Sequence, residues 1–200
     1  MSQKRIGIGF VGGGFITRFH IQSMIGVRNC DVLGVMSRTR SSAEESASLA
    51  RTIGVGDAKV YNTVTEMVEE PSIDALWICA PNFTRLEIME EIYNAIDSGK
   101  GELIGVTCEK PLGRNVKEAK KVLELTQKAG LLDGYLENQV FAPSVTRGKE
   151  IIWSRGAKTT GRPYLARAAE EHSGPHMPWF WEGELQGGGV LNDMMCHSVE

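Results

Sequence analysis

Apolar positions over residues 1–136 alternate between short continuous runs and helical spacing. Ile6–Val11 is one such run, of the kind shown by a strand buried on both faces. Residues 16–25 then carry helical apolar spacing at Ile16, Phe19, Met24 and Ile25. The alternation continues with a strand over 32–36, an alanine-containing helix over 42–51 and a short strand over 58–61. A short helix over Val64–Glu69 and a buried strand over 74–80, stopped by Pro81, follow. Thr84 with Glu87 three residues on reads as a capping box for a helix with apolar face Leu86, Met89, Ile92, Tyr93 and Ile96, ended by Gly99. A strand over 103–108, a helix capped by Asn115 with Glu118 and ended by Gly130, and a sixth strand over 131–136 complete the pattern. Parallel strands need crossover helices, so this alternation predicts a doubly wound parallel α/β sheet.

The pattern changes after Glu137. A helix is expected over 143–153, a polar linker over 154–161, and a strand over 163–169 that starts at a proline. An aromatic loop, the triplet Gly187-Gly188-Gly189 and a final helix over 190–200 end the chain. One strand is too few for a stable sheet. The expected organisation is therefore a dinucleotide-binding domain over 1–136 and the start of an incomplete second α/β domain over 137–200.

Composition narrows the class without naming it. The 200 residues are 42% hydrophobic and 24% charged, with a formal charge of −3 and no basic block, which points away from nucleic acid and from acidic membranes. No run approaches the ~18 apolar residues of a membrane span. The N-terminal apolar stretch is glycine-broken and reads as a strand, not a signal peptide. The four cysteines, Cys30, Cys79, Cys108 and Cys196, have no paired spacing, which fits reduced thiols and a cytoplasmic location.

Two features carry chemistry. The first is the turn Gly12-Gly13-Gly14-Phe15-Ile16-Thr17 between the first strand and the first helix. Gly12 and Gly14 hold the first two positions of the dinucleotide fingerprint, and Thr17 holds the third, where a glycine is usual. Strand, turn and helix in this order place a pyrophosphate at the helix N-terminus, against Phe15 and Ile16. The end of the second strand reads Ser37-Arg38-Thr39-Arg40, with no acid before Glu44. Hydroxyls and guanidinium groups there favour the 2′-phosphate of NADP, with NAD the alternative. The second feature is Glu109-Lys110-Pro111 at the end of the fifth strand, where a lysine faces the crevice in which open α/β sheets hold ligands.

The ordered set of these pieces resembles the Gfo/Idh/MocA oxidoreductase family: the glycine loop with His20 after it, Ala80-Pro81-Asn82, Glu109-Lys110-Pro111, Glu137-Asn138, and Gly187-Gly188-Gly189 leading to Asp193 and His197. The resemblance implies an N-terminal Rossmann domain and a C-terminal α/β domain that often forms an oligomer interface. It also implies oxidation of a sugar, inositol or related polyol, or the reverse reduction, with NAD or NADP. Lys110 would be the catalytic lysine, Asp193 and His197 the polar pair at the substrate. Ala80, Pro81, Asn82, Glu109 and Asn138 would line the cofactor. Arg85 stands where the family often has a histidine beside the cofactor.

Alcohol oxidation needs a base for the hydroxyl proton. Histidine is the side chain suited to that task, and His197 lies four residues from Asp193, so one helical face would carry both, with Asp193 orienting the imidazole or binding a neighbouring hydroxyl. Lys110 would stabilise developing alkoxide charge. In the segment 172–181, His172 and Trp179 are candidates for substrate contact, since aromatic rings stack on sugars. His172 and His176 have metal-ligand spacing, but the prolines of this segment and Gly174 argue against a helix that would align them, so no metal is expected. The expected partners are a small polyol or sugar and, in the full-length form, further copies of the chain. Two other readings stand beside the dehydrogenase: an NAD-dependent glycoside hydrolase on the same scaffold, and a non-catalytic nucleotide-binding fragment.

Overall fold

A computed structural model describes residues 4–199. The chain divides into two compact units, Met1–Tyr135 and Leu136–Glu200.

In the first unit, six strands form one sheet: β1 (Ile6–Val11), β2 (Cys30–Met36), β3 (Lys59–Tyr61), β4 (Ala75–Ile78), β5 (Gly105–Glu109) and β6 (Leu132–Leu136, whose last residue passes into the second unit). Their order is β3-β2-β1-β4-β5-β6, and the registered pairs are parallel. Between them run α1 (Phe15–Ser23), α2 (Arg40–Thr52), α3 (Val64–Glu69), α4 (Arg85–Asp97) and α5 (Val116–Lys128). This is the Rossmann-like doubly wound α/β fold that the alternation predicts.

Side-chain alternation on the strands sorts the core into two layers. Ile8 and Phe10 of β1 join Val32, Val35, Ile21, Ala43, Ala47 and Ala50 beneath α1 and α2. Val11 turns to the other face, where Leu76, Ile78, Met89, Ile92, Val106, Val122 and Leu125 pack beneath α3, α4 and α5. The small alanine face of α2 lets that helix lie close to the sheet. The strand order reverses direction between β1 and β4, which makes the carboxyl ends of β1, β4 and β5 the place where such sheets hold ligands.

Local signals behave unequally. Asn115 caps α5, its Oδ1 accepting the Glu118 N–H at 3.0 Å. The capping box expected at Thr84 does not form: its hydroxyl donates instead to the Pro81 carbonyl at 2.7 Å and closes the turn before α4. The four cysteines are free, and Cys79 and Cys108 are buried. Burial pushes both thiols up, Cys108 to about 11.

The second unit departs further from expectation. Its helix α6 (Pro143–Ile151) runs on through a π turn, Ile152–Gly156, into α7 (Ala157–Thr159), so the expected linker over 154–161 is largely helical. The strand expected over 163–169 is absent: these residues are exposed and irregular. A strand needs neighbours to pair with, and none stands beside this stretch among the described residues. The final helix is broken at Met194 into α9 (Gly189–Asp193) and α10 (Met195–Val199), after a short α8 (Gly183–Gln186). Glu200, to which the expected helix extends, lies outside the described residues. No helix among the described residues is long and apolar enough to cross a membrane.

Candidate cofactor and active site

At the carboxyl end of β1, Gly12 and Gly14 are glycines for different reasons. Gly12 has φ +115°, and a Cβ there would meet the main chain of Cys79 and Ala80 at 2.8–2.9 Å. The chain's own packing demands glycine at that position. Gly14 has an ordinary φ of −81°, and a Cβ there would meet nothing within 4 Å. As N-cap of α1 it brings no side chain to the first-turn N–H groups, which leaves them and the positive helix end open to an anion. A turn forced tight on one side and open on the other fits a dinucleotide pyrophosphate. Phe15, 76% exposed, and Ile16, half-buried, begin the helix behind it.

Thr17 resolves its own departure from the fingerprint. It is fully buried, and its hydroxyl donates to the Gly12 carbonyl at 2.8 Å, bracing the turn. The Gly13 carbonyl accepts from Ser46 and Arg18, at 3.2 and 3.1 Å, tying the turn to α2 and α1.

Beyond β2, Ser37 is half-buried, while Arg38 and Thr39 are exposed. The Arg38 guanidinium lies over the Phe83 ring, 5.5 Å from its centroid. Arg40 is engaged by Glu44 and Asn62, each at 2.9 Å. That leaves Arg38 as the cation presented at the strand end.

At the ends of β4 and β5 stands Arg85. The residue is 6% exposed, and its guanidinium donates to the carbonyls of Ala80 at 2.9 Å, of Glu109 at 2.6 Å and of Pro111. It clamps two strand ends together. Asn82, 3% exposed, opens the turn between Pro81 and α4.

Glu109 is also buried. Its Oε1 lies 2.6 Å from His20 Nε2 and its Oε2 accepts the Lys110 N–H at 3.0 Å. The His20 ring packs edge-on to Trp77, with centroids 5.3 Å apart. Thus α1, which carries the glycine turn, is joined to the strand end that carries Lys110. The Lys110–Pro111 peptide is cis and Lys110 is half-buried. Sequence reasoning gave His20 no role, because its partner lies 89 positions away.

Within the second unit, His197 Nδ1 lies 2.6 Å from Glu137 Oε2, and both side chains are buried. The break at Met194 takes Asp193 and His197 off one continuous helix, and Asp193 lies 3.8 Å from His172 Nε2. His172 stacks on His176, with ring centroids 5.6 Å apart. Trp179 stacks on Phe180 at 3.9 Å, and Asn138 is exposed at the start of a 3₁₀ turn. Glu137 is the residue that spacing missed. It was visible only as a neighbour of Asn138, since nothing local links it to His197.

Residues 6–134 match the family model GFO_IDH_MocA, described as an oxidoreductase family with an NAD-binding Rossmann fold. The chain is 28% identical over 194 residues to 1,5-anhydro-D-fructose reductase of Ensifer adhaerens, covering 96% of this chain and 54% of that protein. It is 24% identical over 194 residues to myo-inositol 2-dehydrogenase of Thermotoga maritima, covering 96% and 52%. Among solved structures, GenD2 from gentamicin A biosynthesis in complex with NAD aligns with a TM-score of 0.77 at 25% identity, covering 100% of this chain and 53% of that one. Levoglucosan dehydrogenase in complex with NADH and levoglucosan shares the fold, with a TM-score of 0.70 at 20% identity and coverage of 96% and 51%. The chain spans about half the length of the curated relatives it matches.

Proposed function

The chain belongs to the Gfo/Idh/MocA oxidoreductase family, and we propose that it serves hydride transfer between a nicotinamide dinucleotide and a sugar, inositol or related polyol. The observation that carries this reading is the Gly12–Gly14 turn, closed against β4 and open before α1, at the sheet's switch point. The bound nicotinamide would supply the hydride acceptor or donor. Gly14 and the first turn of α1 would hold the pyrophosphate, and Ser37, Arg38 and Thr39 the adenosine ribose and its 2′-substituent. Arg38 at that position supports a preference for NADP over NAD.

Lys110 would donate a hydrogen bond to the reacting oxygen and stabilise charge developing on it. His197 would accept the hydroxyl proton during oxidation and return it during reduction. Residues 1–136 would form the cofactor domain and 137–200 belong to the substrate domain, with self-association through the latter.

Cofactor reduction followed by nicotinamide fluorescence, across a panel of sugars and inositols, tests the reading. Lys110→Ala is expected to lower kcat by about 10²–10³-fold while leaving cofactor affinity nearly unchanged, as loss of a transition-state donor does. Arg38→Ala is expected to weaken NADP more than NAD, since it removes a charge-assisted contact to the 2′-phosphate alone. An unchanged kcat in Lys110→Ala would remove that lysine from the chemistry, and equal losses for both cofactors would remove the NADP preference.

A further inference from the structure

His197 and Glu137 meet across sixty positions of sequence, in surroundings that leave them little choice of partner. Their side chains are 8% and 2% exposed, with Nδ1 and Oε2 2.6 Å apart. Among the described residues neither atom meets hydrogen-bond geometry with any group, and the 2.6 Å approach makes each the close ionisable neighbour of the other. The other oxygen of Glu137 is already fixed, because Oε1 accepts the Gln139 N–H at 2.9 Å. The carboxylate is therefore oriented from one side and presents its second oxygen to the imidazole.

An ionised carboxylate only accepts hydrogen bonds, so the neutral imidazole facing it must carry its proton on Nδ1 and its lone pair on Nε2. The same carboxylate stabilises the imidazolium formed when Nε2 takes up a proton. This is the division of labour between a buried acid and a histidine base that serves nucleophilic enzymes. We propose that Glu137 is the positioning residue for His197, holding it as the Nδ1–H tautomer with Nε2 bare. The use of that tautomer as a base rests on the dehydrogenase reading above; the tautomer itself does not.

Cys196 Sγ, a ring nitrogen of His197 and a carboxylate oxygen of Glu137 lie within 4.8 Å of one another, so the three side chains also form a group with metal-ligand chemistry. The 2.6 Å approach argues against a shared ion. Two ligands on a tetrahedral zinc at ~2.0–2.1 Å stand roughly 3.3 Å apart, whereas 2.6 Å is a hydrogen-bond distance. The Cys196 thiol is moreover engaged, donating to the Asp193 carbonyl at 3.2 Å.

Imidazole nitrogen shifts of the ¹⁵N-labelled chain read the tautomer directly. In the native protein at a pH where His197 is neutral, the proton is expected on Nδ1. Glu137→Gln should reverse it. The Gln139 N–H still needs an acceptor, so the amide oxygen takes the Oε1 position and the NH₂ group faces Nδ1, forcing the proton to Nε2. In turnover the same variant should lose about 10²–10⁴-fold in kcat, the range for a general base, with KM little changed. An Nε2–H tautomer in the native chain would overturn the proposal, and that measurement stands even if the variant does not fold. So would an unreversed tautomer in Glu137→Gln, a reversed tautomer with full kcat, or stoichiometric zinc bound through His197 in the purified chain. A reversed tautomer in a chain whose native form reduces no cofactor with any polyol would uphold the pairing and overturn the dehydrogenase reading.

Discussion

Arg85 ties the carboxyl ends of β4 and β5 together through three main-chain carbonyls. Removing the guanidinium strips a charged donor from each, and a buried acceptor left unpaired costs about 1–3 kcal/mol. Arg85→Met is therefore expected to lower stability by about 3 kcal/mol or more in urea unfolding. Arg85→Lys should recover only part of this, because an ammonium is a point donor where the guanidinium is a fork. A loss below about 1 kcal/mol in Arg85→Met would show that the clamp contributes nothing. The position of Arg85 after the Pro-Asn turn is legible in the sequence, but its bonds to the carbonyls of Glu109 and Pro111 are not. Gly12, Gly14 and Lys110 were legible for the opposite reason: each sits within a few residues of the strand end that defines it. The pairs His20–Glu109 and Glu137–His197 depend on chain distances that no local pattern encodes.

Among the elements, α5 shows how a local signal becomes stability. Asn115 caps it, and Glu118 in its first turn takes the Arg114 N–H at 2.8 Å and the Arg114 Nε at 2.9 Å. Burial pushes the Glu118 carboxyl up, but the Arg114 hydrogen bonds outweigh it and hold the group below the ordinary glutamate value. A carboxyl depressed in the folded state contributes fully above its unfolded pKa, about 4.3, and loses that contribution as pH falls through the lower folded value. The gap in thermal midpoint between the native chain and Glu118→Gln should therefore be constant near neutral pH and close in acid below about pH 4. A gap independent of pH would contradict the pairing. The strands and helices of the first unit were legible because each buries a periodic face against the sheet. The stretch 163–169 lacks that: its side chains are exposed, and a short apolar run with no periodic face to bury does not specify a strand.

At the scale of the whole molecule, the described surface of the second unit is rich in exposed apolar side chains. Phe141, Trp153, Leu165, Trp181, Val190, Leu191 and Val199 are each more than half exposed. Where such side chains form a contiguous patch they mark an association surface. Sedimentation is expected to show concentration-dependent self-association of the 200-residue chain, and a monodisperse monomer at high concentration would contradict it. The central claim, however, concerns the glycine turn of the first unit, and Gly14 gives it the most direct test. A Cβ at that residue meets nothing within 4 Å, so Gly14→Ala should lower the thermal midpoint only slightly, by the N-cap preference for glycine over alanine. The same methyl group would stand where the pyrophosphate approaches. Titration with NADPH and NADH by nicotinamide fluorescence is expected to show saturable binding to the native chain, weakened about tenfold or more in Gly14→Ala, a loss of about 1.4 kcal/mol. Equal affinity in the two proteins, or no binding by the folded native chain, would contradict the assignment of this turn as the dinucleotide site.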